Sequence, residues 1–356
     1  MSNRFSLSIV IPMFKAETRI SHAISSIVDQ GRKDVEIICV DDVSPDNQVA
    51  VVERHQLTNP SIRLIKNVRN MGPGGSTNAG IDAASGEYIV IVHADDTLLP
   101  GALDALIDLT QETRPDLVLL GCDEYRRGRI RPLSDPRLTR ELTSHHGPLT
   151  AEVDPRVLLW PPGPWSKVYR REFLNDNRLR FPEGVFEDIP WSIQTTVLAQ
   201  SITVLPGPYY RYVTADTESS ITTTLTPRNL DRLRQVQLIR KSLNLTELRP
   251  TVLHYLSALA AIHLIWANRS AYKTLPSDTH EQFFLDSAAE ILWWHQTAPT
   301  PRGLDTRPLM PASERNTFTD ALLAGSWEGW QSTITRHKTT QRFMRLVRRM
   351  KRRSKT

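Results

Sequence analysis

Two adjacent carboxylates, Asp95 and Asp96, follow an almost continuously apolar stretch, and His93 stands just before them in YIVIVHADDTLLPG. Neighbouring acids at the end of a buried strand repel each other and are costly to bury without a partner. A divalent cation removes that conflict, because carboxylate oxygens suit Mg²⁺ or Mn²⁺, which keep coordination positions for water and phosphate. The alternative that these residues leave open is a solvated acidic turn that caps the following helix.

A second acidic pair, Asp41 and Asp42, ends another apolar stretch in the same way. Five apolar stretches occur within the first 125 residues: SLSIVIPMF, VEIICVDD, IRLIKN, YIVIVHADD and PDLVLLGCDEY. Amphipathic helical segments separate them, and the first has apolar residues at Ile20, Ala23, Ile24, Ile27 and Val28. This alternation predicts an α/β fold with a mostly parallel sheet covered by helices on both faces. Both acidic pairs then lie at carboxyl strand ends, where such sheets bind ligands.

The remaining chain predicts two further regions. Segments rich in proline and aromatic residues follow Arg126, and from about Thr226 the pattern becomes helical. We therefore expect a sheet domain over 1–215, a helical region over 216–335 and a separate tail over 336–356. The helical region also offers a possible surface for oligomer formation.

The tail carries the positive charge of the chain. It holds ten Lys or Arg and no acid, so a chain of net charge +5 is net −5 outside it. Four apolar residues stand at helical spacing among these cations: Phe343, Leu346, Val347 and Met350. This pattern predicts a basic amphipathic helix on an anionic membrane surface. A disordered tail and a nucleic-acid-binding arm are the alternatives, although we expect no nucleic-acid partner.

The sequence predicts a cytoplasmic protein held at the inner face of the membrane. The N-terminus lacks an apolar segment followed by small residues, as a secretory signal would require. No uninterrupted apolar run approaches the ~18–20 residues of a transmembrane helix. Cys39 and Cys122 each lie in an apolar stretch, so we expect buried, reduced thiols.

Several motifs, taken in order, resemble the family 2 glycosyltransferases with a GT-A fold. These are SIVIPMF, VEIICVDDVSPD and RNMGPGGSTNAGIDAASGEYIVIVHADD. Two later segments, PWSKVYRREFL and LRFPEGVFEDIPW, resemble the acceptor side of the polysaccharide and teichoic-acid type members. The resemblance covers roughly residues 6–215 and implies a Rossmann-like GT-A catalytic domain over 1–215. It further implies an inverting hexosyl- or N-acetylhexosaminyl-transferase.

The resemblance also implies a donor site. Asp41 is expected to contact the base or ribose of a nucleotide-diphosphate sugar, by default a UDP-sugar. Pro12, Asn78, His93 and Asp95 join it as donor-binding residues. Asp95, Asp96 and His93 are the expected ligands of Mn²⁺ or Mg²⁺. A metal there stabilises the departing diphosphate as a Lewis acid.

The acceptor side carries the predicted catalytic base. Asp188 matches the family's base, with Glu187 as its neighbour, and it would take the proton of an acceptor hydroxyl. The expected acceptor is a glycan, a polymer or a lipid-linked sugar. Trp165 and Trp191 offer flat apolar faces on which a sugar could stack, and packing is the alternative for both.

Two residues depart from the family pattern. His93 replaces the first acid of the metal motif, and Thr77 replaces an arginine that could contact the diphosphate. A second hypothesis is therefore a catalytically impaired sugar-nucleotide or glycan-binding protein of the same fold. A sugar nucleotidyltransferase is disfavoured, because IPMFKAETRI lacks the glycine-rich loop that such enzymes place after the first strand.

Overall fold

The computed structural model describes residues 5–214, 230–274, 276–306 and 309–336. The chain forms two compact units. The first comprises Met1–Ser220 with Leu238–Val252, and the second comprises Ile221–Gln237 with Leu253–Thr356. Residues 238–252, which the sequence placed in the helical region, therefore belong to the first unit. The predicted amphipathic helix of the tail lies outside the described residues.

A mixed sheet forms the centre of the first unit. Its strands are β1 (Leu7–Met13), β2 (Val35–Asp41), β3 (Ile62–Lys66), β4 (Tyr88–Ile91), β5 (Thr97–Leu98), β6 (Leu117–Arg126), β7 (Arg129–Pro132), β8 (Lys167–Arg170) and β9 (Ile202–Val213). The strand order is β3-β2-β1-β4-β8-β6-β9-β5, and β7 pairs with β6. Six strands run in one direction, while β5, β7 and β8 run against their neighbours. The predicted α/β fold with a mostly parallel sheet is confirmed.

Helices cover this sheet. They are α1 (Ile20–Val28), α2 (Gln48–Gln56), α3 (Gly72–Ala83), α4 (Ala102–Thr113), α5 (Pro136–Thr143), α6 (Arg171–Asp176) and α7 (Asp188–Leu198). All seven residues of β2 are buried, since helices shield both of its faces, and this explains its continuous apolar run. Helix α1 buries the predicted apolar stripe from Ile20 to Ile27. Helix α3 packs so closely on β1 that a Cβ at Gly80 would lie 2.3 Å from Val10 Cγ1.

The second unit is helical in its described part. Helix α8 (Asp231–Ser242) begins in this unit and ends in the first. It is followed by α9 (Pro250–Thr274), α10 (Ser277–Thr297), α11 (Ala312–Leu323) and a helical segment over 327–336. Contrary to expectation, Pro250–Tyr272 is long and apolar enough to cross a membrane, but 72% of its most apolar window is buried in the protein. The same length and burial are found in core helices of globular proteins, so this helix is weak support for a membrane span.

Candidate active site

The two acidic pairs come together because of the strand order. Strands β1, β2 and β4 are parallel neighbours, so their carboxyl ends lie at one edge of the sheet. Asp41 ends β2, and His93 to Asp96 follow β4. Pro12, predicted to contact the donor, is half-buried near the end of β1 opposite Val40.

Asp96 is held inside the protein. Its Oδ2 accepts a 2.6 Å hydrogen bond from the Tyr210 hydroxyl, and its Oδ1 accepts a 2.7 Å bond from the Val213 N–H. The same hydroxyl accepts a bond from the His93 N–H at 3.1 Å. Burial, with the neighbouring charge of Asp95, raises the pKa of Asp96 well above its usual range. Asp96 therefore fastens the loop after β4 to β9.

Asp95, in contrast, faces solvent. Its side chain is 39% exposed, and its Oδ2 lies 3.3 Å from Nη1 of Arg19. His93, Asp95 and Asp96 each place a ligand atom within 4.8 Å of the others. Burial lowers the pKa of the His93 imidazole against the opposing effect of Asp95, which favours the neutral, metal-binding form. One imidazole and two carboxylates are a donor set that fits a divalent cation.

The two acids at the end of β2 also differ in their hydrogen-bond partners. The Asp42 carboxylate accepts bonds from the backbone N–H groups of Met71 (2.7 Å) and Gly72 (2.9 Å). It also accepts a bond from Asn67 Nδ2 at 2.9 Å, so it shapes the turn that begins α3. Asp41 accepts a 2.6 Å bond from Gln48 Nε2 through Oδ1. Asp42 is thus a structural residue, and Asp41 remains the predicted nucleotide contact.

A third acidic pair, Glu187 and Asp188, begins α7. Glu187 is buried and Asp188 half-buried. Phe186, just before them, has φ = 64°, a conformation that is strained for a bulky side chain and often marks a functional site. A Cβ at Gly74 would lie 2.7 Å from Glu187 Cγ, so the glycine lets α3 approach the pair.

Asn78 fixes the segment that leads to this pair. Its Nδ2 donates to the Phe181 carbonyl at 2.9 Å, and its Oδ1 accepts from the Phe181 N–H at 2.8 Å. The structure therefore gives Asn78 a positioning role in place of the donor contact predicted from the sequence. Thr77, where an arginine was expected, is buried and donates its hydroxyl to the Pro73 carbonyl.

A buried lysine that the sequence motifs did not reveal lies near Asp188. Lys167 on β8 is 1% exposed, and its Nζ donates to the Pro161 carbonyl at 2.9 Å. Burial lowers the pKa of Lys167 to about 7, against the attraction of Cys122 and Asp188. A lysine directly after PWS in a Pro- and aromatic-rich segment was the available signal.

The two tryptophans are packing residues here, which corrects their predicted acceptor role. Trp191 has no exposed surface, because it stacks on Phe181 at 4.0 Å and donates to the Tyr169 hydroxyl. Trp165 is buried and stacks with Tyr210 and Tyr212, each with its ring centroid 5.1 Å away. Neither offers a free face to a sugar, but Trp165 supports the tyrosine that holds Asp96.

A family model matches the part of the chain that carries the strand-end acids. Residues 8–154, which include the first two acidic pairs, match the model "Glycosyl transferase family 2". Over residues 8–154 the chain is similar to glycosyl transferase family 2. The matched stretch includes the sheet edge on which Asp41 and the His93, Asp95 and Asp96 cluster lie.

Similar proteins agree with this family. Over 229 residues, 63% of this chain and 34% of the other, the chain is 28% identical to the poly(ribitol-phosphate) beta-glucosyltransferase of Bacillus spizizenii. The fold is similar to that of S. aureus TarS residues 1–349, crystallised with UDP-GlcNAc, with TM-score 0.71 and 19% identity. The match covers 94% of this chain and 92% of TarS 1–349. It also resembles the mannosyltransferase PcManGT of Pyrobaculum calidifontis in complex with GDP-Man and Mn²⁺, with TM-score 0.54 and 18% identity. This match covers 82% of this chain and 88% of PcManGT.

These relationships differ in what they establish. The chain spans about a third of the length of the B. spizizenii enzyme. At 18–19% identity the two structures establish the GT-A fold alone, which confirms the fold predicted from the motifs.

Proposed function

We propose that the protein is an inverting, metal-dependent glycosyltransferase. It would move a hexosyl or N-acetylhexosaminyl group from a nucleotide-diphosphate sugar, by default a UDP-sugar, to a glycan, polymer or lipid-linked acceptor. The observation that carries this proposal is the cluster of His93, Asp95 and Asp96, with one solvent-facing carboxylate, at the carboxyl edge of the sheet. Similar proteins that bind UDP-GlcNAc or GDP-Man support a sugar-nucleotide donor.

Asp95 and His93, backed by Asp96, would hold the cation. The imidazole nitrogen favours Mn²⁺ over Mg²⁺, which prefers oxygen ligands alone. A cation bound there supplies charge neutralisation for the departing diphosphate. Arg19 is the positive group beside Asp95 in this structure, and its Nη2 also donates to the Lys15 carbonyl at 3.2 Å.

Asp188 would act as the general base. A carboxylate at the start of a helix can accept the proton of an acceptor hydroxyl as that oxygen attacks the anomeric carbon. Lys167 lies close enough to Asp188 for their opposite charges to attract, so a cationic side chain stands near the proposed base. One base with direct displacement inverts the anomeric configuration. The buried Glu187 positions the pair against α3.

A donor screen tests the proposal. UDP-glucose, UDP-GlcNAc and GDP-mannose are tested by thermal shift and by release of the nucleoside diphosphate, each with Mn²⁺ or with EDTA. A cognate donor binds the native state only, so it should raise the melting temperature, and only with Mn²⁺ should it be consumed. Stabilisation without consumption, in the presence of a panel of acceptors, would instead support the sugar-nucleotide-binding alternative that His93 suggests.

The membrane location is a proposal from the sequence alone. Residues 337–356 lie outside the described residues, and the apolar side chains and most of the cations of the tail are among them. We propose that this tail holds the protein peripherally at the cytoplasmic face of an anionic membrane. Flotation with anionic liposomes should be lost when residues 336–356 are deleted. Equal flotation of the full and the shortened protein would exclude the tail as the contact.

A further inference from the structure

The loop between β1 and α1 is held firmly beside the candidate active site. Three of its backbone N–H groups donate, each at 2.9 Å, to side chains that follow β2. The donor and acceptor residues are Lys15 with Ser44, Ala16 with Gln48, and Glu17 with Asp46. The buried Gln48 also donates to Asp41, the predicted nucleotide contact, at 2.6 Å. The loop therefore has a fixed position next to the place where we expect the nucleoside.

Arg19 ends this loop, directly before α1, and its guanidinium lies beside Asp95. Its Nη1 is 3.3 Å from Asp95 Oδ2, and its Nη2 donates to the Lys15 carbonyl at 3.2 Å. Strand β1 lies between β2 and β4 in the sheet, so the loop after β1 stands between Asp41 and the residues that follow β4. Arg19 thus places a positive charge between the expected nucleoside and the cluster that contains Asp95.

The two contacts of Arg19 contribute little to the fold. At 3.2 and 3.3 Å they are longer than the ~2.7–2.9 Å that is usual for charge-assisted hydrogen bonds. The Arg19 side chain is 43% exposed, and ion pairs in solvent add little to the free energy of unfolding. The three shorter backbone bonds hold the loop without Arg19. Arg19 can therefore exchange one anionic partner for another at little cost.

Arg19 and a divalent cation in the cluster would compete for the same Asp95 carboxylate. A guanidinium that stays on Asp95 opposes the cation, because the two positive charges repel each other. A diphosphate offers Arg19 a better partner, since it carries more negative charge and matches two parallel N–H donors. A diphosphate that joins a nucleoside at Asp41 to a cation at Asp95 also has to pass the loop that carries Arg19.

We propose that Arg19 couples binding of the cation to binding of the donor. Without a donor, Arg19 remains on Asp95 and weakens the binding of the cation. With a donor, Arg19 moves to the diphosphate oxygens and leaves Asp95 to the cation. The inference rests on the proposed transferase function, and it adds to the donor site a residue outside the motifs that resemble the family.

The test measures Mn²⁺ affinity by electron paramagnetic resonance, without nucleotide and with UDP or GDP. Arg19→Gln removes the charge beside Asp95, and Arg19→Lys keeps it. Arg114→Gln is the matched control, because Arg114 is an exposed arginine that pairs with Glu87 at 3.0 Å, next to the opposite end of β4. Free Mn²⁺ is the observed species, so the result does not depend on turnover.

We expect Arg19→Gln to bind Mn²⁺ about threefold or more tighter than the unaltered protein without nucleotide, since the competing ion pair is gone. The nucleotide should then raise Mn²⁺ affinity by a smaller factor in Arg19→Gln, because part of the coupling between the two ligands is lost. Arg19→Lys should stay close to the unaltered protein without nucleotide. Arg114→Gln should match the unaltered protein in both conditions.

Equal Mn²⁺ affinity of Arg19→Gln and the unaltered protein would overturn the inference, and so would an undiminished effect of the nucleotide in Arg19→Gln. The same gain in Arg114→Gln would overturn it too, because it would show a general effect of net charge. In these cases the unaltered protein still binds Mn²⁺ and nucleotide together, so the proposed function stands. Failure of the unaltered protein to bind either nucleotide with Mn²⁺ would instead contradict the proposed function, and this inference with it.

Discussion

The acidic pairs at the ends of β2 and β4 look alike in sequence. In both pairs the two carboxylates have different surroundings. In each pair the second acid, Asp42 or Asp96, is buried and accepts bonds from backbone N–H groups of a distant segment. The first acid has fewer such bonds: Asp41, although also buried, accepts from the Gln48 side chain, and Asp95 pairs with Arg19 in solvent. One carboxylate of each pair thus holds the site together, and the other is the one that we propose for the ligand.

The third pair reverses this order. Glu187, the first acid, is buried against Gly74, while Asp188, the second, is half-buried and near Lys167. The three pairs also differ in position, because Asp41 ends β2 and Asp95 lies in the turn after β4, whereas Asp188 opens α7. Position within a pair therefore does not predict which acid is structural.

The largest effect should separate Asp96 from Asp95. Asp96→Ala should lower the free energy of unfolding by about 3 kcal/mol, because the buried Tyr210 hydroxyl and Val213 N–H lose their acceptor. Asp95→Ala should change it by less than about 1 kcal/mol, the usual value of an exposed ion pair. Urea unfolding followed by circular dichroism measures both. The comparison fails if the two variants are destabilised equally.

A smaller effect should separate Asp42 from Asp41. Asp42→Ala should lower the free energy of unfolding by about 2 kcal/mol. The backbone N–H groups of Met71 and Gly72 would lose their acceptor, and water would replace it only in part. Asp41→Asn should keep the fold and weaken binding of UDP. Thermal unfolding and a UDP titration of each variant provide the check. Unchanged UDP affinity in Asp41→Asn would remove that residue from the donor site.

Lys167, the buried lysine near the third pair, can be tested through the pH dependence of the free energy of unfolding. The pKa of Lys167 is about 7 in the folded protein and ordinarily 10.5, so the unfolded chain binds an extra proton between these values. Stability should therefore rise with pH from about 7, by up to about 2 kcal/mol at pH 9. The window ends there, because burial raises the pKa of the Cys39 thiol to about 12, which opposes folding stability above pH 9.

Lys167→Met is the matched variant for this rise. Methionine does not titrate, so the part of the pH slope that depends on Lys167 should vanish from the free energy of unfolding of the variant between pH 7 and 9. Urea unfolding of both proteins at several pH values in this range measures the two slopes. Equal slopes in the two proteins would mean that Lys167 is charged in the folded state throughout.

Much of the fold could be predicted because its signals are local. Strands β1, β2, β4 and β6 contain continuous apolar runs and α1 has a helical stripe, so burial alone marks them. The antiparallel strand β8, placed between β4 and β6, could not be predicted, because its four residues include a buried lysine and an arginine. Short polar strands are specified by their neighbours and not by their own pattern.

The site was predicted where it depends on residue type and missed where it depends on distant partners. His93, Asp95 and Asp96 form the expected cluster because they are neighbours in sequence. Asn78 binds Phe181 across 103 residues, and Tyr210 binds Asp96 across 114. The periodicity of a single sequence carries no information about pairs so far apart along the chain.

The most direct test of the central claim compares Asp95→Asn with Asp188→Asn in one experiment. Mn²⁺-dependent donor binding and sugar transfer are both measured with the donor found by the screen. Asp95→Asn should lose both, because the amide keeps the shape but not the charge that holds a cation. Asp188→Asn should keep donor affinity nearly unchanged and lose at least ~10²-fold in transfer, the usual contribution of a positioned base. Full transfer by Asp95→Asn at saturating Mn²⁺, or equal loss of donor binding and transfer in Asp188→Asn, would contradict the account.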